Sequence, residues 1–220
     1  MTIPVKIVGC CKKVRPENAA RMFRNPAPIL SISTVANLLA GPSPKAILEV
    51  GAGCLRNALF LLRAGHRLTV LEVPRMAERF PEQYDEFERA GGKVLKSFAG
   101  SPRFEIALLT FVVETICEPK ERIGLLQAVR SHLKPGGTLV LSARGPKDLL
   151  TAQNKGIRCR DGYLTPNFSF ARSYTRAQME RVLKAAGFSE LQFLHKDSSK
   201  EPEYLHVIAR TNDERARKRG

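Results

Sequence analysis

Two glutamates flank a glycine turn in the first half of the chain and could together hold a ligand with cationic and hydroxyl groups. Glu49 stands near the end of an apolar run, Gly51 and Gly53 follow it directly, and Glu72 ends a second apolar run. A buried strand, a glycine turn, a helix and a second strand ending in an acid are typical of a nucleotide-cofactor site at the edge of a parallel sheet. The spacing therefore predicts cofactor chemistry where two neighbouring strands end.

The same residues disfavour a cofactor that carries phosphates. A dinucleotide site has a third glycine or alanine where its helix packs on the strand, but Arg56 occupies that position here. Glu49 would place a carboxylate beside a pyrophosphate, and like charges at short range repel each other. The glycine-rich lysine motif of P-loop proteins is also absent from the sequence. Both acids suit a molecule with a cationic amino acid at one end and an adenine ribose at the other, as in S-adenosylmethionine.

The segment around the glycine turn resembles the class I S-adenosylmethionine-dependent methyltransferases. Glu49 to Gly53 is similar to their first motif, which wraps the methionine part of the cofactor, and Glu72 resembles the acid that binds the ribose hydroxyls. The stretch from Gly53 to His66 looks most like the branch that includes tellurite-resistance and thiopurine-type methyltransferases. Leu55 stands where that branch often has glycine.

Two later segments resemble the same family. The run from Phe104 to Ile116 is typical of a buried fourth strand, and Pro135-Gly136-Gly137 resembles the turn before the fifth strand. The resemblance covers roughly residues 45 to 210 and implies an α/β, Rossmann-like fold with a seven-stranded, mostly parallel sheet flanked by helices. It also implies a set of cofactor-binding residues: Glu49, Gly51, Ala52, Gly53, Glu72, Val73, Ser97, Phe98, Thr110 and Phe111.

The last part of the chain has clear helix and strand signals. Thr175 and Gln178 have the spacing of a capping box, and Gly187 follows the apolar helix pattern that begins there. The runs Leu191 to His195 and Tyr204 to Ala209 predict an antiparallel pair of closing strands. These elements complete the expected sheet.

The chain divides into three segments. We expect an N-terminal cap over residues 1–44, a methyltransferase domain over 45–210 and a basic tail over 211–220. Within the domain, residues 145–174 predict a substrate-side loop in which Lys147, Lys155, Arg158, Arg160 and Arg172 alternate with aromatic residues. That mixture suits stacking combined with phosphate or carboxylate contact. The alternative is a surface loop whose aromatic side chains cover the sheet edge.

The formal net charge of +15 indicates an anionic partner. The excess lies outside the cofactor half, because residues 1–45 and 147–220 each carry a net charge of +6. The leading interpretation is a methyltransferase for a small, anionic molecule. A second interpretation is an RNA or DNA methyltransferase that docks through the basic flanks. A third is a catalytically silent protein that binds S-adenosylmethionine.

No catalytic residue follows from the sequence. Methyl transfer from a sulfonium releases a neutral thioether, so alignment of the acceptor matters more than acid or base catalysis. Glu114 could orient a substrate or act as a base, or it could be a helix-start carboxylate favoured by the dipole.

Neither metal binding nor membrane insertion is expected. The histidines at 66, 132, 195 and 206 lack metal-ligand spacing, and the cysteines at 10, 11, 54, 117 and 159 form no paired motif. Reduced thiols fit this pattern. The sequence has neither an apolar run of transmembrane length nor a secretory signal, which favours a cytoplasmic protein.

Overall fold

The computed structural model describes residues 13–15, 39, 43–149, 156–194 and 202–211. At positions 148 and 149 it describes the backbone alone. The strands in these ranges are β1 (Ala46–Val50), β2 (Arg67–Leu71), β3 (Lys93–Leu95), β4 (Phe104–Thr110), β5 (Leu133–Arg144), β6 (Ile157–Cys159), β7 (Gly162–Leu164), β8 (Phe170–Ala171), β9 (Glu190–Phe193) and β10 (Tyr204–Arg210). The α-helices are α1 (Arg56–Arg63), α2 (Pro74–Arg79), α3 (Pro81–Arg89), α4 (Pro119–Ser131) and α5 (Arg176–Ala185). Short 3-10 helices occur at Val113–Thr115 and Pro146–Leu149.

Seven of these strands form one sheet in the order β3-β2-β1-β4-β5-β10-β9. Strands β1 to β5 run parallel, while β10 pairs antiparallel with both β5 and β9. The predicted Rossmann-like α/β fold is therefore confirmed. The strand order reverses between β1 and β4, and open sheets of this kind bind ligands at such a switch point, outside the carboxyl ends of the strands.

The sheet is covered on both faces, as expected for parallel strands with continuous apolar runs. One face packs against α4 and α5 through buried residues such as Leu126 and Met179. The other face packs against α1, α2 and α3 through Leu61, Met76 and Phe87. These two cores fix the carboxyl ends of β1, β2 and β4 relative to one another.

The local signals in the last part of the chain correspond to observed elements. In the capping box at the start of α5, the Gln178 amide N–H donates to Thr175 Oγ1 at 3.2 Å. In return, the Thr175 N–H donates to Gln178 Oε1 at 2.9 Å. The predicted closing strands are β9 and β10, which pair antiparallel.

The described part of the segment 145–174 contains the 3-10 helix Pro146–Leu149 and a small antiparallel sheet of β6, β7 and β8. Two of its cations are held in ion pairs within the chain, Arg160 with Glu118 at 2.8 Å and Arg172 with Asp161. The aromatic side chain of Phe170 is buried. Arg172 and Phe170 are therefore structural, and the exposed cations described in this segment are Lys147, Arg158 and Arg160, since Lys155 lies outside the described residues.

None of the helices in the described ranges is both long and apolar enough to cross a membrane. The N-terminal segment and the basic tail fall largely outside those ranges. The described residues of the N-terminal segment include Leu39 and Arg15. Leu39 is buried in the core beside α1, and the Arg15 N–H donates to the Phe168 carbonyl at 2.7 Å.

Candidate active site

The glycine turn between β1 and α1 runs through three left-handed residues. Gly51, Gly53 and Leu55 have φ values of 69°, 59° and 62°. A left-handed conformation costs a residue with a side chain roughly 1–2 kcal/mol, so Leu55 needs compensation. Its side chain is fully buried in the core against α1, and its carbonyl accepts the first helical hydrogen bond from the Leu59 N–H at 2.8 Å. The turn therefore takes a left-handed path at this position without a glycine.

Gly51 lies directly against the segment that follows β4. A Cβ placed on Gly51 would stand 2.6 Å from Val112 Cγ2, which is far inside van der Waals contact. The Gly51 N–H also donates to the Leu71 carbonyl at 2.9 Å and so ties the end of β1 to the end of β2. A side chain at Gly51 would have to displace Val112 or shift the turn.

The Glu72 carboxylate spans the glycine turn from the end of β2. Its Oε2 accepts from the Gly53 N–H and its Oε1 from the Val73 N–H, each at 2.8 Å. Burial raises the pKa of Glu72, while these two backbone hydrogen bonds lower it. Because a carboxylate offers about four acceptor positions, two remain for a ligand. The two backbone hydrogen bonds therefore hold both Glu72 carboxylate oxygens in place beside the turn, where they can accept from a ligand.

Glu49 is a second carboxylate at the same edge, and it is 1% exposed. Its Oε1 accepts from Asn57 Nδ2 at 2.9 Å, whereas Oε2 has no hydrogen-bond partner within the described residues. Burial raises the pKa of Glu49 to about 7. A buried carboxylate oxygen without a partner is costly unless a donor or cation reaches it.

Asn57 and Tyr84 also belong to this site, although the sequence did not single them out. Asn57 Nδ2 also contacts Thr110 Oγ1 at 3.3 Å and thereby links the ends of β1 and β4. The Tyr84 hydroxyl, on α3, donates to the Gly53 carbonyl at 3.0 Å. An amide on the buried side of α1 was a signal that could have revealed Asn57. Tyr84 and Gly53 are 31 residues apart in the sequence, and no sequence pattern indicated their contact.

Aromatic and ionic pairs lie where β4 and β5 end. Phe111 has a left-handed φ of 58°, and its ring meets Tyr204 edge-to-face with 5.3 Å between centroids. The carboxylate of Glu114 is fully buried, and its Oε1 lies 3.9 Å from Arg144 Nε. Glu114 belongs to the 3-10 helix before α4.

The remaining sequence-predicted residues occupy two regions. Ala52 and Val73 flank the glycine turn and the Glu72 carboxylate. Ser97 is half-buried in the loop after β3. Phe98 stacks on His132 with 4.8 Å between ring centroids, and the His132 carbonyl accepts from the Phe104 N–H at the start of β4. The structure therefore places the Phe98 ring where β4 and β5 begin, at the opposite end from the two acids.

Comparison with known proteins identifies the class. A family model described as "Methyltransferase domain" matches residues 21–192, which is most of the chain. The protein belongs to this family, and it is an S-adenosylmethionine-dependent methyltransferase with the corresponding Rossmann-like fold. No curated protein sequence matches the chain.

Solved structures with the same fold are distant in sequence. The CcbJ methyltransferase from Streptomyces caelestis has a TM-score of 0.65 at 17% identity, over 91% of this chain and 99% of that one. The 1,6-didemethyltoxoflavin-N1-methyltransferase of Burkholderia thailandensis has a TM-score of 0.61 at 22% identity, over 83% and 77%. The glycopeptide N-methyltransferase MtfA has a TM-score of 0.59 at 20% identity, over 82% and 89%. The last two were solved with S-adenosylhomocysteine.

The residues of the candidate site fit S-adenosylmethionine, the cofactor of this family. The buried Glu49 Oε2 can receive a cationic amino group, and the Glu72 carboxylate retains acceptor positions for hydroxyl donors. The absence of a side chain at Gly51 lets the turn pack closely against Val112, which fixes the path of its backbone beside the two acids. A cofactor with a pyrophosphate would instead meet two carboxylates.

Proposed function

We propose that this protein transfers a methyl group from S-adenosylmethionine to a small, anionic acceptor. The observation that carries the proposal is the pair of acids, Glu49 and Glu72, held on either side of the glycine turn at the ends of β1 and β2. When bound, S-adenosylmethionine supplies an electrophilic methyl group on a sulfonium and leaves as a neutral thioether. The chain's own task is then to orient the acceptor and to exclude water.

Each part of the site has a role in this proposal. Glu49 binds the amino group of the methionine moiety, and Asn57 holds the Glu49 carboxylate in place. Glu72 accepts from the ribose hydroxyls, and the backbone of Gly51, Ala52 and Gly53 lies along the cofactor. Further contacts come from neighbouring loops and strand ends: Val73, Ser97, Thr110 and Phe111. We assign no cofactor contact to Phe98, because its ring stacks on His132 at the opposite end of the sheet from the two acids.

Three observations support a small, anionic acceptor. Strand β8 contacts the 3-10 helix that follows β4, so the small sheet lies beside the carboxyl edge that holds the acids and its side chains can reach an acceptor there. Lys147 and Arg158 are exposed in the same segment. The Burkholderia thailandensis structure contains 1,6-didemethyltoxoflavin, a small molecule. The motif likeness to the tellurite-resistance and thiopurine-type branch favours the same substrate class.

The acceptor class can be tested with radiolabelled methyl transfer to paired small molecules. We expect an aromatic acid to be methylated about 3- to 10-fold more efficiently than its neutral amide, the effect of one or two partly exposed ion pairs. Lys147→Ala combined with Arg158→Ala should remove that preference. The matched control is Lys93→Ala with Lys134→Ala, which changes two exposed lysines at the other end of the sheet.

The same assay with RNA and DNA distinguishes a small-molecule enzyme from the second interpretation, a nucleic-acid methyltransferase. A nucleic-acid enzyme releases counterions on binding, so its affinity falls steeply with salt but remains measurable when many phosphates are contacted. Methylation of RNA or DNA that persists at physiological salt, with no transfer to any small acid, would contradict the proposed acceptor. Binding of S-adenosylhomocysteine without any transfer would favour the silent binding protein.

The raised pKa of Glu49 predicts a pH dependence of cofactor binding. The folded protein retains the Glu49 proton up to about pH 7, while the unfolded chain loses it near the ordinary value, so this group's contribution to stability declines as pH rises through 7. Binding a cationic amino group requires the ionised form. Calorimetric affinity for S-adenosylhomocysteine should therefore rise between about pH 6 and pH 8, by at most about tenfold per unit. Glu49→Gln should bind more weakly and with a flatter profile; an unchanged profile would exclude this role for Glu49.

A further inference from the structure

A row of cations lies along the amino edge of the large sheet, where its parallel strands begin, opposite the edge that holds the two acids. Each of the strands β1 to β5 begins at, or within one residue of, a lysine or an arginine. In the spatial order of the strands, from β3 to β5, these cations are Lys93, Arg67, Lys45, Arg103 and Lys134. Neighbouring strands are about 4.8 Å apart, so this amino-edge row extends over roughly 19 Å.

The amino-edge row is open to solvent and is neutralised in part. Four of its residues are exposed, and Lys45 is half-buried. Glu105 lies among them: its Oε2 accepts from the Ala46 N–H at 2.7 Å and is 3.8 Å from Lys134 Nζ. That backbone hydrogen bond and the charges of Lys134, Lys45 and Arg67 lower the pKa of Glu105. Within the described residues, no ion pair joins the other four cations to an acid, so the row keeps a net positive charge.

The amino-edge row adds to the cations that helix ends favour. Helices α1, α3 and α4 end a few residues before β2, β3 and β5 begin, and therefore at the same edge. A cation in the last turn of a helix is stabilised by the helix dipole. Each of these helices already has an arginine there, namely Arg63, Arg89 and Arg130. The cations of the row instead belong to strands and to the residues beside them, so helix dipoles do not account for them.

A pair of stacked rings lies beside the amino-edge row. The rings of Phe98 and His132 have 4.8 Å between their centroids, and both residues are half-buried. His132 directly precedes β5, and its carbonyl accepts from the Phe104 N–H, one residue after Arg103. Proteins that bind single-stranded nucleic acids without sequence preference combine a positive groove for the backbone with rings on which bases stack. Both components are present at this edge.

We propose that the amino-edge row binds the phosphodiester backbone of a single-stranded nucleic acid. A line of cations, one on each strand, matches a linear polyanion with one charge per nucleotide. A lipid surface suits the row less, because surface-bound proteins add apolar side chains to their cations. Among the described residues, the exposed large apolar side chains belong to α1, to the residue that follows Glu72 and to the small sheet.

The bound strand is a docking partner rather than the methyl acceptor. The five residues of β1 span about 17 Å, and they separate the amino-edge row from Glu49 and the glycine turn. The proposal therefore differs from a nucleic-acid methyltransferase that docks through its basic flanks, because the cations belong to the cofactor half and the bases lie away from the methyl group. It is independent of the identity of the acceptor.

Fluorescence anisotropy of labelled oligo(U) and oligo(dT), each of about 12 nucleotides, measures the binding by the full-length native protein. Contact with four to five phosphates of a single strand predicts a slope of about −3 for log affinity against log salt. The affinity should therefore fall about 50- to 100-fold between about 50 and 200 mM KCl. Poly-glutamate, which has no bases to stack, should bind at least about 5-fold more weakly than either oligonucleotide. The tighter-binding oligonucleotide identifies RNA or DNA as the source of the backbone.

Two double variants with equal changes in charge locate the binding surface. Arg67→Ala with Arg103→Ala removes two exposed cations of the amino-edge row and should weaken oligonucleotide binding about 10-fold at low salt. The salt slope should become shallower by about 1.4, the contribution of two phosphates. The matched control is Lys120→Ala with Arg181→Ala, which removes exposed cations from α4 and α5 and should change neither quantity.

Saturation with S-adenosylhomocysteine should leave the oligonucleotide affinity unchanged, because the cofactor residues lie at the other edge of the sheet. Competition between the two ligands would overturn the proposal, as would equal effects of the two double variants. A native protein that binds neither oligonucleotide at low salt, or that binds poly-glutamate or phosphatidylserine vesicles as tightly, would overturn it too. None of these measurements depends on methyl transfer, so they test the docking surface separately from the proposed acceptor.

Discussion

Replacing Glu72 by alanine is expected to weaken binding of S-adenosylhomocysteine by roughly 5- to 150-fold, which corresponds to about 1–3 kcal/mol. The substitution leaves ribose hydroxyls without their acceptors in a buried site. It also frees the Gly53 and Val73 N–H groups, which the carboxylate now holds at 2.8 Å. Titration calorimetry measures the loss directly.

Two further variants make the Glu72 result interpretable. Glu72→Gln retains one carbonyl oxygen as an acceptor and should fall between the native protein and the alanine variant. Glu82→Ala removes an exposed carboxylate on α3 and should leave the affinity unchanged. An alanine variant of Glu72 that binds S-adenosylhomocysteine as tightly as the native chain would exclude Glu72 as the ribose acid.

Gly51→Ala is expected to disrupt the same site from the backbone side. The new Cβ would stand 2.6 Å from Val112 Cγ2, and the residue would have to keep a φ of 69°. Overpacking of this kind costs about 1–3 kcal/mol, and the left-handed conformation adds roughly 1–2 kcal/mol. We expect a lower free energy of unfolding in chemical denaturation, together with a large loss of cofactor affinity as the turn shifts.

The chain offers a matched control for the steric part of this effect. Gly65 has a φ of 89°, but a Cβ there would meet no atom of the described residues within 4 Å. Gly65→Ala therefore carries only the conformational cost of about 1–2 kcal/mol. Combining Gly51→Ala with Val112→Ala removes the clashing methyl groups and should restore part of the stability. Equal losses for Gly51→Ala and Gly65→Ala, without rescue by Val112→Ala, would contradict the close approach of the turn to Val112.

The parts of the fold that depend on local sequence were predictable. The glycine turn, the two acids, the capping box at Thr175 and the antiparallel closing strands follow from short patterns, and the structure contains each of these elements. Leu55 is an informative exception. Its type argued against a left-handed residue, yet burial in the core against α1 accompanies a φ of 62°.

Contacts between distant segments could not be predicted. Tyr84 reaches Gly53 from another helix, and Cys117 before α4 meets Cys159 at the end of β6. The cations of residues 145–174 suggested ligand contacts, but burial of Arg172 requires a charge partner, which Asp161 provides. Likewise, the position of Phe98 depends on the path of the loop between β3 and β4. Such pairings are set by packing of the whole domain.

Competitive titration calorimetry on the native protein tests the cofactor assignment most directly. Glu49 and Glu72 lie on either side of a turn that suits a cationic amino acid and a ribose, and they repel a pyrophosphate. We predict that S-adenosylhomocysteine binds and raises the melting temperature, as a ligand specific for the native state must, while NADH and ATP do neither. Binding of NADH as tight as or tighter than that of S-adenosylhomocysteine would contradict this account of the site.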